Sequence, residues 1–208
     1  MVSIGFVWQY RNKPTNWNEV CDKMKILGEK IKYLPADDNP LSADVFFVEG
    51  DKHCYIYDVG NNDDSLRHIN QVNKEKRIIL SHYHKDHIGN IDNIDYSDLY
   101  VGEETYRAIG KGIIIEDSFS IQDGVKIEII HCISPHTDGS LIVNIDNEYT
   151  LIADLYFTRP PFDKEKAMKM IKFLKNIDTQ YFVISHQEDA NVVPKEKLIA
   201  ELLDYFNQ

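Results

Sequence analysis

The sequence predicts a mixed α/β chain in which helices cover two packed sheets or one large sheet. Three observations carry this. Apolar runs of strand length recur along most of the chain. Helix-period segments stand between them, and the chain ends on one. Turn residues punctuate the runs at Gly50-Asp51-Lys52, Asp123-Gly124 and Asp146-Asn147-Glu148. A length of 208 residues suits a single domain over 1–208.

In order, Ile4 to Trp8 reads as a strand and Asn12 to Asn16 as a turn. From about Asn18 to Lys32, the apolar residues Val20, Met24, Ile26, Leu27 and Ile31 lie among charges, which predicts an amphipathic helix. Leu34 to Ser42 reads as a loop, with Pro35 and Pro40. Ala43 to Glu49 and His53 to Val59 form a hairpin. A short helix runs from Asp63 to about Val72, capped within Asp63-Asp64-Ser65. Arg77 to Leu80 and Asp98 to Val101 are strands. Gly102 to Ile109 is a helix stopped by Gly110. Strands follow at 113–115, 119–121, 125–130, 141–145 and 149–153. Pro160-Pro161 breaks the chain. Lys164 to Asn176 is a helix, Tyr181 to Ile184 the last strand, and Pro194 to Phe206 a final helix with Pro194 in its first turn.

Composition removes some functions. Hydrophobic residues at 43% and charged ones at 27% suit a globular protein. A net charge of −11 argues against nucleic-acid binding, which needs basic phosphate contacts. Cys21, Cys54 and Cys132 have no CxxC spacing and form no disulfide framework. The N-terminus has no basic leader, and no stretch approaches the ~18 apolar residues of a membrane span, so the cytoplasm is the expected compartment.

The chemistry centres on Ser81-His82-Tyr83-His84-Lys85-Asp86-His87, where an apolar strand runs out into a loop. In extended backbone His82 and His84 point the same way. Asp86 and His87 follow after a bend and can face the cavity from the other side. Neutral imidazoles and carboxylates are the ligands that zinc and similar metals take. Lys85 lacks a ligand's chemistry and belongs to the surface. Four more polar groups close apolar strands: Asp58, His136, Asp154 and His186. Each alone reads as a turn or cap residue. Together with the cluster they supply enough donors for two ions: five His and two Asp, Asp86 and Asp154, could fill both sites if Asp154 bridges. His131 lies inside an apolar run and reads as a strand residue, and His53 and His68 as surface residues.

At these residues the chain resembles the metallo-β-lactamase-fold hydrolase superfamily. The H-x-H-x-D-H run from His82 to His87 is the specific part. Pro135-His136-Thr137-Asp138-Gly139-Ser140 is similar to its P-G-H-T-x-G-S, without the Gly before His. Ala153-Asp154 resembles its G-D, and His186 its last ligand. The resemblance implies a four-layer αββα sandwich of two mixed sheets flanked by helices. It implies one metal on His82, His84 and His136, a second on Asp86, His87 and His186, and Asp154 between them. It makes Asp58 a support for the cluster's loop. The implied cofactors are two divalent ions, Zn2+ first, with Fe or Mn as the alternatives.

Two such ions sharing a hydroxide imply hydrolysis of an ester, thioester, lactone, amide or phosphodiester in a small-molecule substrate, with Asp86 passing a proton to the leaving group. The metal pattern is glyoxalase II-like and lactonase-like. However, too few residues follow His186 for the helical domain of the first, and Phe157 stands where the second carries Tyr. Two alternatives stay open. One is a persulfide dioxygenase-like enzyme with one iron on His82, His136 and Asp154. The other is a non-catalytic metal-binding domain.

Overall fold

The computed structural model describes residues 23–158, 161, 163–186 and 191–207. The expected strand at 4–8, the turn at 12–16, Cys21, Pro160 and the first part of the expected helix at 18–32 lie outside them.

The described part of that helix is a β-hairpin instead. β1 (Lys25–Gly28) and β2 (Ile31–Leu34) pair antiparallel. In β2, Ile31 and Tyr33 are buried and Lys32 is exposed, a period of two. Ile26, which a helix would have buried, is 77% exposed. The expected loop after it holds a two-rung hairpin of β3 (Asp37–Asp38) and β4 (Leu41–Ser42). β5 (Val45–Glu49) and β6 (His53–Tyr57) form the expected hairpin.

α1 (Asp63–Asn70) is capped by Asn62, one residue earlier than expected; its side chain accepts from the Ser65 N–H at 2.8 Å. β7 (Glu75–Ile79), the single-turn α2 (Lys85–Ile88), β8 (Asp98–Val101), α3 (Glu103–Ile109) and β9 (Ile113–Ile114) follow. Together β1-β2-β5-β6-β7-β8-β9 form a seven-stranded mixed sheet, parallel from β6 onward.

The second sheet takes β10 (Ser118–Gln122), β11 (Lys126–Cys132), β12 (Ser140–Ile145), β13 (Tyr149–Ala153), β14 (Tyr181–Ile184) and β15 (Asn191–Pro194), in that order. Only β13 and β14 are parallel. α4 (Lys164–Asn176) connects them, and α5 (Lys195–Asn207) ends the described chain. β15 was not expected. Pro194 closes this edge strand, and the helix starts one residue later, because an edge strand tolerates a missing N–H.

Burial sorts the residues into four layers. Between the sheets lie Tyr57, Ile79 and Tyr100 from one and Ile129, Val143 and Leu151 from the other. Outside the six-stranded sheet, Ile142, Ile152 and Phe182 meet Ala167, Met170, Ile171 and Leu174 of α4 and Leu198, Leu202 and Phe206 of α5. The α4 positions recur at helical spacing, and Asp163 caps that helix. Outside the seven-stranded sheet, Ile56 and Ile78 pack on Ile69 of α1. This is the expected αββα sandwich. Truncating a fully buried side chain such as Ile78 to Ala would cost about 2–5 kcal/mol. Among the described residues, no helix is long and apolar enough to cross a membrane.

Candidate metal centre

β6 and β7 run parallel in one sheet, β13 and β14 in the other, and all four end at the same edge. Asp58, Ser81–His87, Asp154 and His186 directly follow these strands. Three residues at the strand ends adopt left-handed backbone: Asp58 (φ 60°), Ala153 (φ 46°) and His186 (φ 60°). Each such residue costs roughly 1–3 kcal/mol, and such strain gathers where structure must aim a functional group.

After β7 the Ser81 carbonyl accepts from the Leu141 N–H of the facing sheet at 2.8 Å. His84, in extended backbone, precedes the turn of α2, and the bend divides the cluster. His82 and His84 turn to one side and Asp86 and His87 to the other, as expected. The loop with His136 is seated on Gly102: a Cβ there would lie 1.8 Å from the Gly139 carbonyl oxygen. Lys166 of α4 pairs with Asp138 of the same loop at 2.6 Å.

The structure brings all seven expected ligands together in two groups. In the first, His82 Nε2, His84 Nδ1 and His136 Nε2 lie 3.0, 3.1 and 3.3 Å apart. Their partners on the far side fix the tautomers of two rings. His136 Nδ1 donates to the Phe157 carbonyl, and His82 Nδ1 to Ser81 Oγ at 2.9 Å, which itself donates to Asp58 at 2.7 Å. The inward nitrogens of these two rings are therefore lone pairs, which cannot satisfy each other. A tetrahedral ion with bonds of ~2.0–2.1 Å spaces its donors roughly 3.3–3.4 Å apart.

In the second group, Asp86 Oδ2 lies 3.0 Å from His186 Nε2 and 3.4 Å from His87 Nε2. Asp154 Oδ2 lies 3.2 Å from His87 Nε2 and 3.5 Å from His186 Nε2. The same oxygen is 3.9 Å from His136 Nε2 of the first group, so Asp154 stands between the two. Its other oxygen, Oδ1, is buried and has no hydrogen-bond partner. Leaving a buried acceptor unmet is costly, and a bound cation would satisfy it. The donor types, their spacing and this orphaned oxygen all fit a metal.

The electrostatics agree. Burial, then the neighbouring rings of His87 and His136, push His82 far below the usual imidazole range. Burial and His136 lower His84 as well. His87 goes the other way: burial opposes its charge, but Asp58 and Asp154 raise it well above the usual range. Asp86 is held at about 2, because the hydrogen bond from His186 and the charge on His87 outweigh its burial. The first group is built of neutral donors. The second, with two carboxylates, calls for positive charge.

Asp58 supports the cluster as expected. It accepts from the Ser81 N–H at 2.7 Å and from His87 Nδ1 at 2.7 Å, which aims His87 Nε2 inward. Lys85 is exposed. His131 sits on β11 opposite Leu141, outside both groups. His53 corrects the expectation of a surface residue: only 16% of its side chain is exposed, because Asp123 draws it in. His68 is half-buried and bonds the Asp64 carbonyl at 2.8 Å.

Sequence reasoning missed Asp44, 2% exposed at the head of β5. It accepts from Ser185 Oγ and the His186 N–H, both at 2.8 Å. Burial raises its pKa against the hydrogen bonds from Ser185, His186 and Ala36 that favour its charge. Its partners beside the site, Ser185 and His186, lie over 140 residues away, so no local pattern could reveal this role.

Residues 38–97 match the sequence profile of the metallo-beta-lactamase superfamily. No curated protein matches the chain. Among solved structures, a metallo-beta-lactamase from Pontibacter korlensis superposes with a TM-score of 0.67 at 12% identity, over 89% of this chain and 98% of that one. A metallo-beta-lactamase superfamily protein from Sulfolobus tokodaii gives 0.62 at 16%, over 86% of each chain. A mutant flavo di-iron protein from Thermotoga maritima gives 0.67 at 12%, over 88% of this chain but 60% of its own. The fold is the metallo-β-lactamase fold, and the resemblance to that superfamily holds.

Proposed function

We propose that the protein is a metal-dependent hydrolase holding two divalent ions, most readily Zn2+, with Fe and Mn the alternatives these donors allow. One observation carries the reading: seven donors from both sheets converge in two groups, and the buried Asp154 Oδ1 is left without a partner. His82, His84 and His136 would hold one ion, Asp86, His87 and His186 the other, and Asp154 both. Ions so held polarise a substrate oxygen and make water nucleophilic at neutral pH.

The chain's own groups do the rest. Asp58 and Ser81 keep the lone pairs of His82 and His87 inward. Asp86, ionised at neutral pH, is the group to take the proton of the attacking water and deliver it to the leaving group. Tyr83, 39% exposed and edge-on to His84 at 5.1 Å, offers an aromatic surface beside the first group. The substrate is a small molecule with an ester, thioester, lactone or related bond; a net charge of −11 speaks against a polynucleotide. A single iron on His82, His136 and Asp154 would leave Asp86, His87 and His186 converged with nothing to hold.

Metal analysis of the purified protein, followed by a panel of esters, thioesters, lactones and phosphodiesters, tests this. Two ions per chain and turnover on one class are expected. One iron at saturation overturns the two-ion reading, and two ions without turnover overturn the hydrolase.

A further inference from the structure

His186 is the most demanding of the seven donors to place. It follows an inner strand, takes a left-handed backbone, and belongs to the opposite sheet from its neighbour Asp86, 3.0 Å away. The residues that meet this demand are on neither β14 nor α2. They are Ser42-Ala43-Asp44, just before β5. Asp44 Oδ2 accepts the His186 N–H and the Ser185 hydroxyl, and its Oδ1 accepts the Ala36 N–H at 3.2 Å. The Asp44 N–H donates back to Ser185 Oγ at 3.3 Å. One residue earlier, the Ala43 N–H donates to the Asp86 carbonyl at 3.0 Å. Ser42 Oγ accepts from the Asn61 N–H at 2.9 Å, which ties the segment to the loop after Asp58.

From this we infer that Asp44 is the positioning residue of the second ion. It holds His186 in its left-handed turn while the adjacent Ala43 peptide holds Asp86, so the two ligands meet across the sandwich. The inference rests on the two-ion reading and adds a residue that touches no ion. Asp44 acts through backbone N–H and hydroxyl groups, so the number of accepting oxygens matters. Asp44→Asn keeps one and should act partially, whereas Asp44→Ala keeps none.

The test is Zn2+ titration of metal-stripped protein against a competing chelator, with amide exchange followed at His186. In Asp44→Ala the first equivalent should bind as in the parent and the second about 10–100-fold more weakly, the range for groups that support ligands. Asp44→Asn should fall between. Asp123→Asn, which alters another buried carboxylate far from the site, should leave both equivalents unchanged. In metal-free protein, exchange of the His186 amide should quicken in Asp44→Asn. Equal weakening of both equivalents, or none of either, overturns the inference. Where Asp44→Ala does not fold, Asp44→Asn decides on the same criteria. A parent that binds no second ion instead overturns the two-ion reading, and His186 exchange then decides the role of Asp44 alone: an unchanged rate overturns it.

Discussion

Strand β6 joins two sites of similar make-up and opposite meaning. His53 stands at its start and Asp58 just past its end. At each end a buried carboxylate of the six-stranded sheet faces a histidine of the seven-stranded one. At the start, Asp123 Oδ1 accepts from the Lys52 N–H, and its Oδ2 accepts from the His53 N–H, His53 Nδ1 and the Tyr55 hydroxyl, all at 3.0–3.1 Å. Gly50 leaves just enough room, since a Cβ there would lie 2.5 Å from Asp123 Oδ2. A cavity of about 280 Å³ opens beside it, but the polar groups of His53, Tyr55 and Asp123 bond one another. At the other end Asp154 keeps Oδ1 unmet, and the rings of His82 and His136 aim lone pairs at each other. The difference lies in hydrogen-bond capacity, not in residue type. A carboxylate with its acceptors filled is a joint between sheets; one with acceptors left over is a socket for a cation.

The largest expected effect sits at the socket. His136→Ala should lose one ion and lower turnover by roughly 10³-fold, since an ion's charge stabilisation is worth several kcal/mol. His131→Ala, five residues away, should keep both ions; metal content and rates of the pair would break the comparison if reversed. Asp154→Asn should weaken the second ion by about 10–100-fold and move the pH–rate profile to higher pH, because one Lewis acid is lost. Unmoved ion content and profile would make Asp154 a turn residue.

At the joint, stability should respond and ions should not. Asp123→Asn should cost about 2–3 kcal/mol at pH 7, as for charged hydrogen bonds, with ion content unchanged. Burial alone would raise the Asp123 pKa, but the hydrogen bonds from His53 and Lys52 hold it well below the usual range. A depressed pKa gives stability that is complete above the unfolded value of about 3.9 and is lost as pH falls below it. Denaturation of parent and variant from pH 6 down to pH 2 should therefore converge. The smallest effect is that of His131→Ala on stability, within about 1 kcal/mol.

Most of the architecture was legible because its signals are local. Lys164–Asn176 and Asp98–Val101 fall where periodicity puts them. The hairpin at 25–34 was not, since Met24, Leu27 and Ile31 recur at a helical spacing, and each strand of the hairpin spans only four residues, too few for its alternation to stand out. β15 is a short edge strand closed by proline, too brief to show a period. The seven donors were legible because four share one short run behind an apolar strand and the other three each follow an apolar run. Asp44, Asp123 and the partners of His53 were not, because the bonds that give them their roles, from His186 to Asp44 and from His53 and Tyr55 to Asp123, span 68 to 142 residues and leave no mark on the neighbouring sequence.

Neither sheet can hold an ion alone. The first group takes two donors from the seven-stranded sheet and one from the six-stranded sheet; the second takes two from each. Ions bound there would be rivets through the sandwich. They could load only after the halves have closed. Chelation should then lower the melting temperature by an amount set by free-ion concentration, as linkage requires. A shortage of the metal would thus leave a less durable protein.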